Sequence, residues 1–123
     1  MAKIGTMYNY IDKYIKEFST EKTKDVYNQL RVFLYMGVSH KQNKSLELYK
    51  NGQELFAENV KNNEFRELVI GCLGNMKRVY GNSEEYNFDE IYKDITGNKS
   101  SNLDFDFARI PNRYNRKPSE FEM

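Results

Sequence analysis

Few residues in this chain have side chains that could do chemistry, because it holds one histidine, His40, and one cysteine, Cys72. A single histidine excludes any site that needs two imidazoles from this chain, and a single cysteine excludes an internal disulfide and a multi-thiolate zinc site. Cys72 falls among apolar residues with helical spacing, where a cysteine acts as a small hydrophobic side chain. His40 lies in a polar segment beside Lys41, which predicts a surface position. We therefore expect no catalytic residues, no enzymatic activity, no metal site and no cofactor.

Two short motifs match the beginnings of known ligand-binding loops. Gly71 and Gly74 have the spacing of the G-x-x-G loop of KH-type RNA-binding domains, but the residues between them continue an apolar helical pattern. The run from Asp104 to Asp106 begins like a calcium-binding loop, but the sixth position, which needs glycine, is Arg109. The sequence also contains neither the phosphate-binding P-loop pattern nor the dinucleotide fingerprint. None of these motifs predicts a ligand.

Charge is distributed unevenly, although the 19 basic and 18 acidic residues leave a net charge of only +1. Most of the acidic side chains of the second half lie between residues 84 and 106. This stretch is interpreted either as a solvated helix face or as a docking surface for a larger protein, with two phenylalanines as apolar anchors. The predicted protein-binding residues are Glu84, Glu85, Asp89, Glu90, Asp94, Asp104, Phe105 and Phe107.

Basic residues give an alternative function. Three arginines and a lysine surround Tyr114 near the C-terminus, and three lysines lie between residues 41 and 50. These side chains are suited to phosphate contacts, with Tyr114 stacking on a base. The other interpretation is structural: the basic C-terminal tail keeps the protein soluble and pairs with the acidic stretch of its own chain. The predicted nucleic-acid-binding residues are Lys41, Lys44, Lys50, Arg109, Arg113, Tyr114, Arg116 and Lys117.

The ten tyrosines, in a chain without tryptophan, divide into two groups. One group lies on or beside the apolar stripes of predicted helices and is expected at the edge of the core. The other group is expected to be more exposed, and exposed tyrosines are typical of protein interfaces. The first group contains Tyr14, Tyr27, Tyr80 and Tyr92, and the second Tyr8, Tyr10, Tyr35, Tyr49, Tyr86 and Tyr114.

Helical periodicity defines the elements that must position these residues. The first predicted helix carries the stripe Met7, Ile11, Tyr14, Ile15 and Phe18 after a Thr6 cap. The second begins near Ser19 or Thr20, carries Val26, Leu30, Phe33 and Leu34, and ends at Gly37. The third begins at Ser45 and carries Leu48, Leu55, Phe56 and Val60. Its central Asn51-Gly52 predicts either two short helices or one bent helix.

The fourth predicted helix has the strongest pattern and should be the most buried. It begins near Asn63, ends at Gly81 and carries Phe65, Leu68, Val69, Cys72, Leu73, Met76, Val79 and Tyr80. Its internal glycines, Gly71 and Gly74, predict the close approach of a neighbouring helix. A fifth helix spans Asn87 to Ile95, with Phe88, Ile91, Tyr92 and Ile95 on one face and Gly97 at its end. Leu103, Phe105 and Phe107 then alternate with aspartates, which predicts a strand-like segment.

These elements predict an all-α fold: a small bundle of four or five helices over residues 1–97, followed by an extended, partly irregular segment and basic tail over residues 98–123. A chain of 123 residues forms one such domain. No apolar run approaches the roughly 20 residues of a membrane span, and Met1 to Asp12 has no signal-peptide core. With one unpaired cysteine, we expect a cytoplasmic protein.

The functional hypothesis from the sequence is a non-enzymatic protein-binding accessory module. Its abundant asparagine, lysine and tyrosine have AT-rich codons, which indicates a low-GC bacterium or its phage. We therefore expect an inhibitor or adaptor of a larger host machine, encoded by a phage or mobile element. Nucleic-acid binding is the alternative function, and assembly into a homo-oligomer stays open.

Overall fold

The computed structural model is a small all-α bundle, as the sequence predicts. It describes residues 4–19, 30–32, 34–35, 37–39, 50, 53–54, 57, 63–84, 86–97 and 99–116. The helices with described bounds are α1 (Ile4–Phe18), α2 (Asn63–Tyr80), α3 (Phe88–Thr96) and α4 (Leu103–Phe107), and a 3-10 turn follows at Asn112–Tyr114. The described residues between 30 and 57 are also helical, and no β-strand occurs among the residues described. None of the described helices is both long and apolar enough to cross a bilayer.

Helix α2 lies at the centre, because α1, α3, α4 and the 3-10 turn all pack against it. Its predicted stripe from Phe65 to Met76 is buried, which confirms the strongest prediction from the sequence. Val79 is an exception, since 39% of its surface is exposed near the end of the helix. Gly81 ends α2 in a left-handed conformation with φ of 73°, as predicted, and its amide donates to the Lys77 carbonyl oxygen.

Helices α1 and α3 also bury their predicted apolar faces. The ends of α3 follow the sequence: the Asn87 side chain accepts from the Glu90 amide, and Gly97 takes φ of 70°. The predicted start of α1 is wrong, because the helix begins at Ile4 and already includes Thr6, which therefore does not cap it.

Gly37 was predicted to end the second helix, and this prediction is wrong. Gly37 and the two residues after it are helical. A Cβ atom at this position would lie 3.0 Å from Ile95 and 3.2 Å from Ile91, so the glycine permits close packing against α3. Leu30 and Leu34 are buried as predicted. Val26, Phe33 and the residues that define the third predicted helix (Ser45, Leu48, Asn51, Gly52, Leu55, Phe56 and Val60) lie outside the described residues.

The strand-like prediction for residues 103–107 is also wrong, because this segment forms α4. The Asn102 side chain accepts a hydrogen bond from the Phe105 amide and caps the helix. Leu103 and Phe107 are four residues apart, so both point towards the core, while Phe105 points to solvent. In a strand, Leu103, Phe105 and Phe107 would share one face. In the helix only Leu103 and Phe107 face the core.

Candidate interaction surface and cleft

Lys77 of α2 joins two of the predicted acidic residues. Its ammonium lies 2.9 Å from an oxygen of Asp89, at the start of α3, and 2.9 Å from an oxygen of Asp104, in α4. Asn82 donates to the same Asp89 carboxylate at 2.6 Å. The bonds with Asp104 and Asp89 raise the pKa of Lys77. Burial tends to raise the pKa of Asp89, but the bonds from Lys77 and Asn82 outweigh it, so that this pKa is lowered.

The two predicted phenylalanine anchors have different environments. Phe105 is 56% exposed, and the Arg109 guanidinium carbon lies 4.5 Å from its ring centroid, in cation–π geometry. Phe107 is half-buried against Gly74, and Arg78 lies over its ring at 5.6 Å. Of the two, Phe105 is therefore the one that a partner could contact directly.

The other predicted acidic residues are described as follows. Glu84, Glu90 and Asp94 are exposed, and Glu85 lies outside the described residues. Glu90 and Asp94 share one face of α3, because they are four residues apart. The backbone carbonyl of Asp94 accepts a hydrogen bond from the Gln53 side chain at 2.8 Å.

A cleft of about 200 Å³ opens beside Phe105, and sequence analysis did not predict it. Inside the bundle, the Tyr92 hydroxyl donates to the Asp106 carboxylate at 2.6 Å. The pKa of Tyr92 is raised, first by burial and then by this hydrogen bond. The nearby Arg66 opposes the rise only in part. No sequence pattern linked the two walls of the cleft, because they are 36 or more residues apart. The lining residues are Arg66, Glu67 and Ile70 of α2, Asp106 of α4, and Arg109 and Ile110 after it.

The base-stacking role predicted for Tyr114 does not fit the structure. Its side chain is only 4% exposed, and its carbonyl oxygen accepts from the Tyr14 hydroxyl at 2.8 Å and from Asn75 at 2.9 Å. Gly71 leaves space for this contact, since a Cβ atom there would lie 3.0 Å from the same oxygen. Tyr114 thus fixes the C-terminal segment to α1 and α2.

The basic residues are distributed over several places. Arg113 and Arg116 are exposed and meet at Phe18: Arg113 donates to its carbonyl oxygen at 3.4 Å, and Arg116 lies 5.0 Å from its ring centroid. Arg109 instead lies over Phe105. Lys50 is exposed, and Lys41, Lys44 and Lys117 lie outside the described residues.

Most of the tyrosines predicted to be exposed are not. Tyr10, Tyr86 and Tyr114 are buried, because they pack into the apolar core beside α2. Tyr8 and Tyr35 are half-buried and pack together with ring centroids 4.4 Å apart. The expected core-edge residues Tyr14 and Tyr92 are buried and Tyr80 is half-buried, whereas Tyr27 and Tyr49 lie outside the described residues.

Cys72 occupies the core, as predicted from its position on the apolar stripe. Burial raises the pKa of its thiol above the ordinary value of 9.0, so the group keeps its proton in mildly alkaline solution. His40 lies outside the described residues. Within the described part of the chain, no group of three or more histidine, cysteine, aspartate or glutamate side chains is arranged to hold a metal ion.

Comparisons of this chain with protein-family models, with curated protein sequences and with solved structures found no match. The residues of the chain and their geometry are therefore the basis for inferring its function.

Proposed function

We propose that this chain is a non-enzymatic protein-binding module that uses the outer side of α4. The observation that supports this is the exposure of Phe105, 56% of whose surface is accessible, on a five-residue helix whose other apolar residues pack inward. Large aromatic side chains are enriched among the residues that contribute most to protein association. We call Phe105, Asp104 and Arg109 the α4 surface.

Charge around the α4 surface favours a partner with basic residues. Asp89 and Asp104 share one lysine ammonium, so this cluster retains a net negative charge. Glu90 adds an exposed carboxylate next to Asp89. A basic partner would be attracted to these carboxylates during encounter, and burial of Phe105 would slow its dissociation. We therefore expect the partner to contact Phe105 and the acidic side chains around it.

The biological setting of the proposal comes from the sequence. A short chain with an exposed anchor suits an adaptor or inhibitor of a larger host machine. Its amino-acid usage favours an origin in a phage or mobile element of a low-GC bacterium, and its unpaired cysteine favours the cytoplasm.

Site-specific photo-crosslinking tests the proposal. A photoreactive phenylalanine analogue replaces Phe105 in one variant and Val32, which is 45% exposed, in a matched control variant. Both purified proteins are irradiated in extract of a low-GC bacterium. We expect a discrete protein adduct from position 105 that excess wild-type chain suppresses and Phe105→Ala does not.

Two outcomes contradict this function. Identical adducts from positions 105 and 32 mean that contact at Phe105 is nonspecific. An adduct from position 105 that disappears after nuclease treatment means that the α4 surface contacts nucleic acid, which is the alternative function.

A further inference from the structure

The cleft beside Phe105 has an unusual distribution of charge. The α2 wall contributes one cation and one anion, Arg66 and Glu67, and the opposite wall contributes Asp106 and Arg109. Ile70 and Ile110 provide apolar surface between the charged residues. Each wall therefore presents both signs of charge around a small apolar area.

No ion pair within 4.0 Å joins two of these four described side chains. Arg66 lies near the Tyr92 hydroxyl, whose pKa it lowers. Asp106 accepts a hydrogen bond from the neutral Tyr92 hydroxyl. This bond positions the carboxylate but does not neutralise its charge. The Arg109 guanidinium carbon lies 4.5 Å from the Phe105 ring centroid, and this contact leaves guanidinium N–H groups that can donate to a ligand anion.

The size of the cleft limits the ligand. Its volume of about 200 Å³ is below the roughly 300–1,000 Å³ typical of sites for drug-sized ligands. It corresponds to several water molecules, each of which takes about 30 Å³ in the liquid. A ligand held wholly within the cleft is therefore small.

We propose that this cleft binds a small zwitterion, namely a free α-amino acid with an apolar side chain. Its carboxylate lies between Arg66 and Arg109, its ammonium faces Glu67 and Asp106, and its side chain contacts Ile70 and Ile110. A simple anion would meet both acidic residues and a simple cation both arginines, whereas a zwitterion complements both pairs. This inference does not depend on the protein partner proposed above.

The test compares three ligands with the same apolar side chain and no added bulk beyond an amide nitrogen: L-leucine, 4-methylpentanoate, which lacks the ammonium, and L-leucinamide, which lacks the carboxylate. Each is titrated into the isotopically labelled full chain and followed by NMR. We expect saturable shifts of the Ile70 and Ile110 signals with L-leucine, and affinities for the two analogues lower by about tenfold or more.

Variants locate the site. Arg66→Gln and Asp106→Asn are each expected to weaken leucine binding by about tenfold, and Lys16→Gln, an exposed charge on α1, is the matched control. No saturable shift with leucine overturns the proposal, as does equal binding of all three ligands. Full affinity for 4-methylpentanoate also overturns it, because the cleft is then a simple anion site. These titrations contain no protein partner, so their failure is distinct from the failure of the crosslinking experiment.

Discussion

The two faces of α2 make different kinds of interaction. The inner face carries Gly71, Gly74 and the buried Asn75, and it contacts α1, α4 and the C-terminal segment closely. The outer side carries Arg66 and Lys77, whose charged ends reach carboxylates or solvent. The inner face depends on shape, since a Cβ atom added at Gly71 or Gly74 would meet Tyr14 or Phe107 at less than contact distance. The outer side depends on charge, which water screens and flexible side chains adjust to.

This difference separates stability from recognition within a single helix. Substitutions on the inner face should cost the fold much of its stability. Substitutions on the outer side should leave the fold nearly intact and change the behaviour of the α4 surface and the cleft. Single substitutions on each face test this separation.

Gly71→Ala should destabilise the protein most. The new methyl group would clash with the Tyr14 hydroxyl and lie 3.0 Å from the Tyr114 carbonyl oxygen, which belongs to the backbone. Overpacking costs about 1–3 kcal/mol and loss of a buried hydrogen bond about 1–3 kcal/mol, against a gain of about 1 kcal/mol in helix propensity. We expect the free energy of unfolding to fall by about 2 kcal/mol or more, measured by urea denaturation.

The matched control for this substitution is Gly5→Ala. Gly5 lies in α1 with no atom within 4 Å of its added methyl group. Helix propensity alone should therefore raise the stability of this variant by up to about 1 kcal/mol. Equal melting temperatures for wild type and Gly71→Ala would contradict the close packing of the inner face.

Alkaline pH should destabilise the inner face through Cys72. Burial raises the pKa of its thiol above the ordinary value of 9.0, so the folded state holds its proton where the unfolded chain releases it. The contribution of the protonated thiol to stability is fully present below pH 9. Above pH 9 the free energy of unfolding should fall, by about 1.4 kcal/mol per pH unit for this group. Urea unfolding from pH 8 to pH 10 measures the slope.

Cys72→Ala is the control for the alkaline effect. It should lower stability at neutral pH by leaving a small cavity, and it should flatten the slope just above pH 9. Buried Tyr10 and Tyr14, whose pKa values burial also raises, continue the decline above pH 10 in both proteins. An unchanged slope between pH 9 and pH 10 would show that the thiol is not desolvated.

Gly74→Ala should cost less than Gly71→Ala. Its methyl group would meet the Phe107 ring, with the Cγ atom at 2.6 Å, but this ring is half-buried and can turn towards solvent. We expect a loss of about 1 kcal/mol. Phe107→Ala removes every ring atom that the new methyl group would meet, so the double variant should be more stable than the two separate losses predict. Strict additivity would mean that Phe107 does not pack on Gly74.

Lys77→Met should have the smallest effect, because the Asp104 side chain that it contacts is 73% exposed. A pair screened in this way contributes about 0.2–1 kcal/mol. The pKa of Asp89 is lowered from its ordinary value of 3.8. The ion pair therefore contributes fully above pH 3.8, and its contribution is lost as the pH falls further. Urea unfolding at pH 7 and pH 3 should show a difference between variant and wild type that shrinks in acid. A loss as large as that of Gly71→Ala would mean that the outer side of α2 contributes as much to stability as the inner face.

Local pattern was enough to predict several elements of this fold. The apolar stripes of α1, α2 and α3 repeat over many turns, so the helical period is unambiguous. Asn87 and Gly97 mark the ends of α3, because capping depends on neighbouring residues alone. The prediction of close packing at Gly71 and Gly74 also followed from the local cost of glycine within a helix.

Short or nonlocal features were predicted poorly. Leu103, Phe105 and Phe107 are too few to distinguish a strand from a helix, and the cap at Asn102 decided between them. Burial of Tyr10, Tyr86 and Tyr114 depends on what packs beside α2. The cleft joins residues 66–70 to residues 106–110, and no periodicity within either segment predicts that contact.

The amino-acid sequence is sufficient to predict the all-α class and the core stripes of the longest helices, and it contains one histidine and one cysteine. Hydrophobic spacing and composition are properties of the chain before it folds. Three features appear only in the folded structure: Phe105 points outward, Lys77 joins Asp89 to Asp104, and Tyr114 is buried rather than available to a ligand. Each of these depends on which distant segments share the surface of α2, because side-chain packing fixes them only when the helices meet.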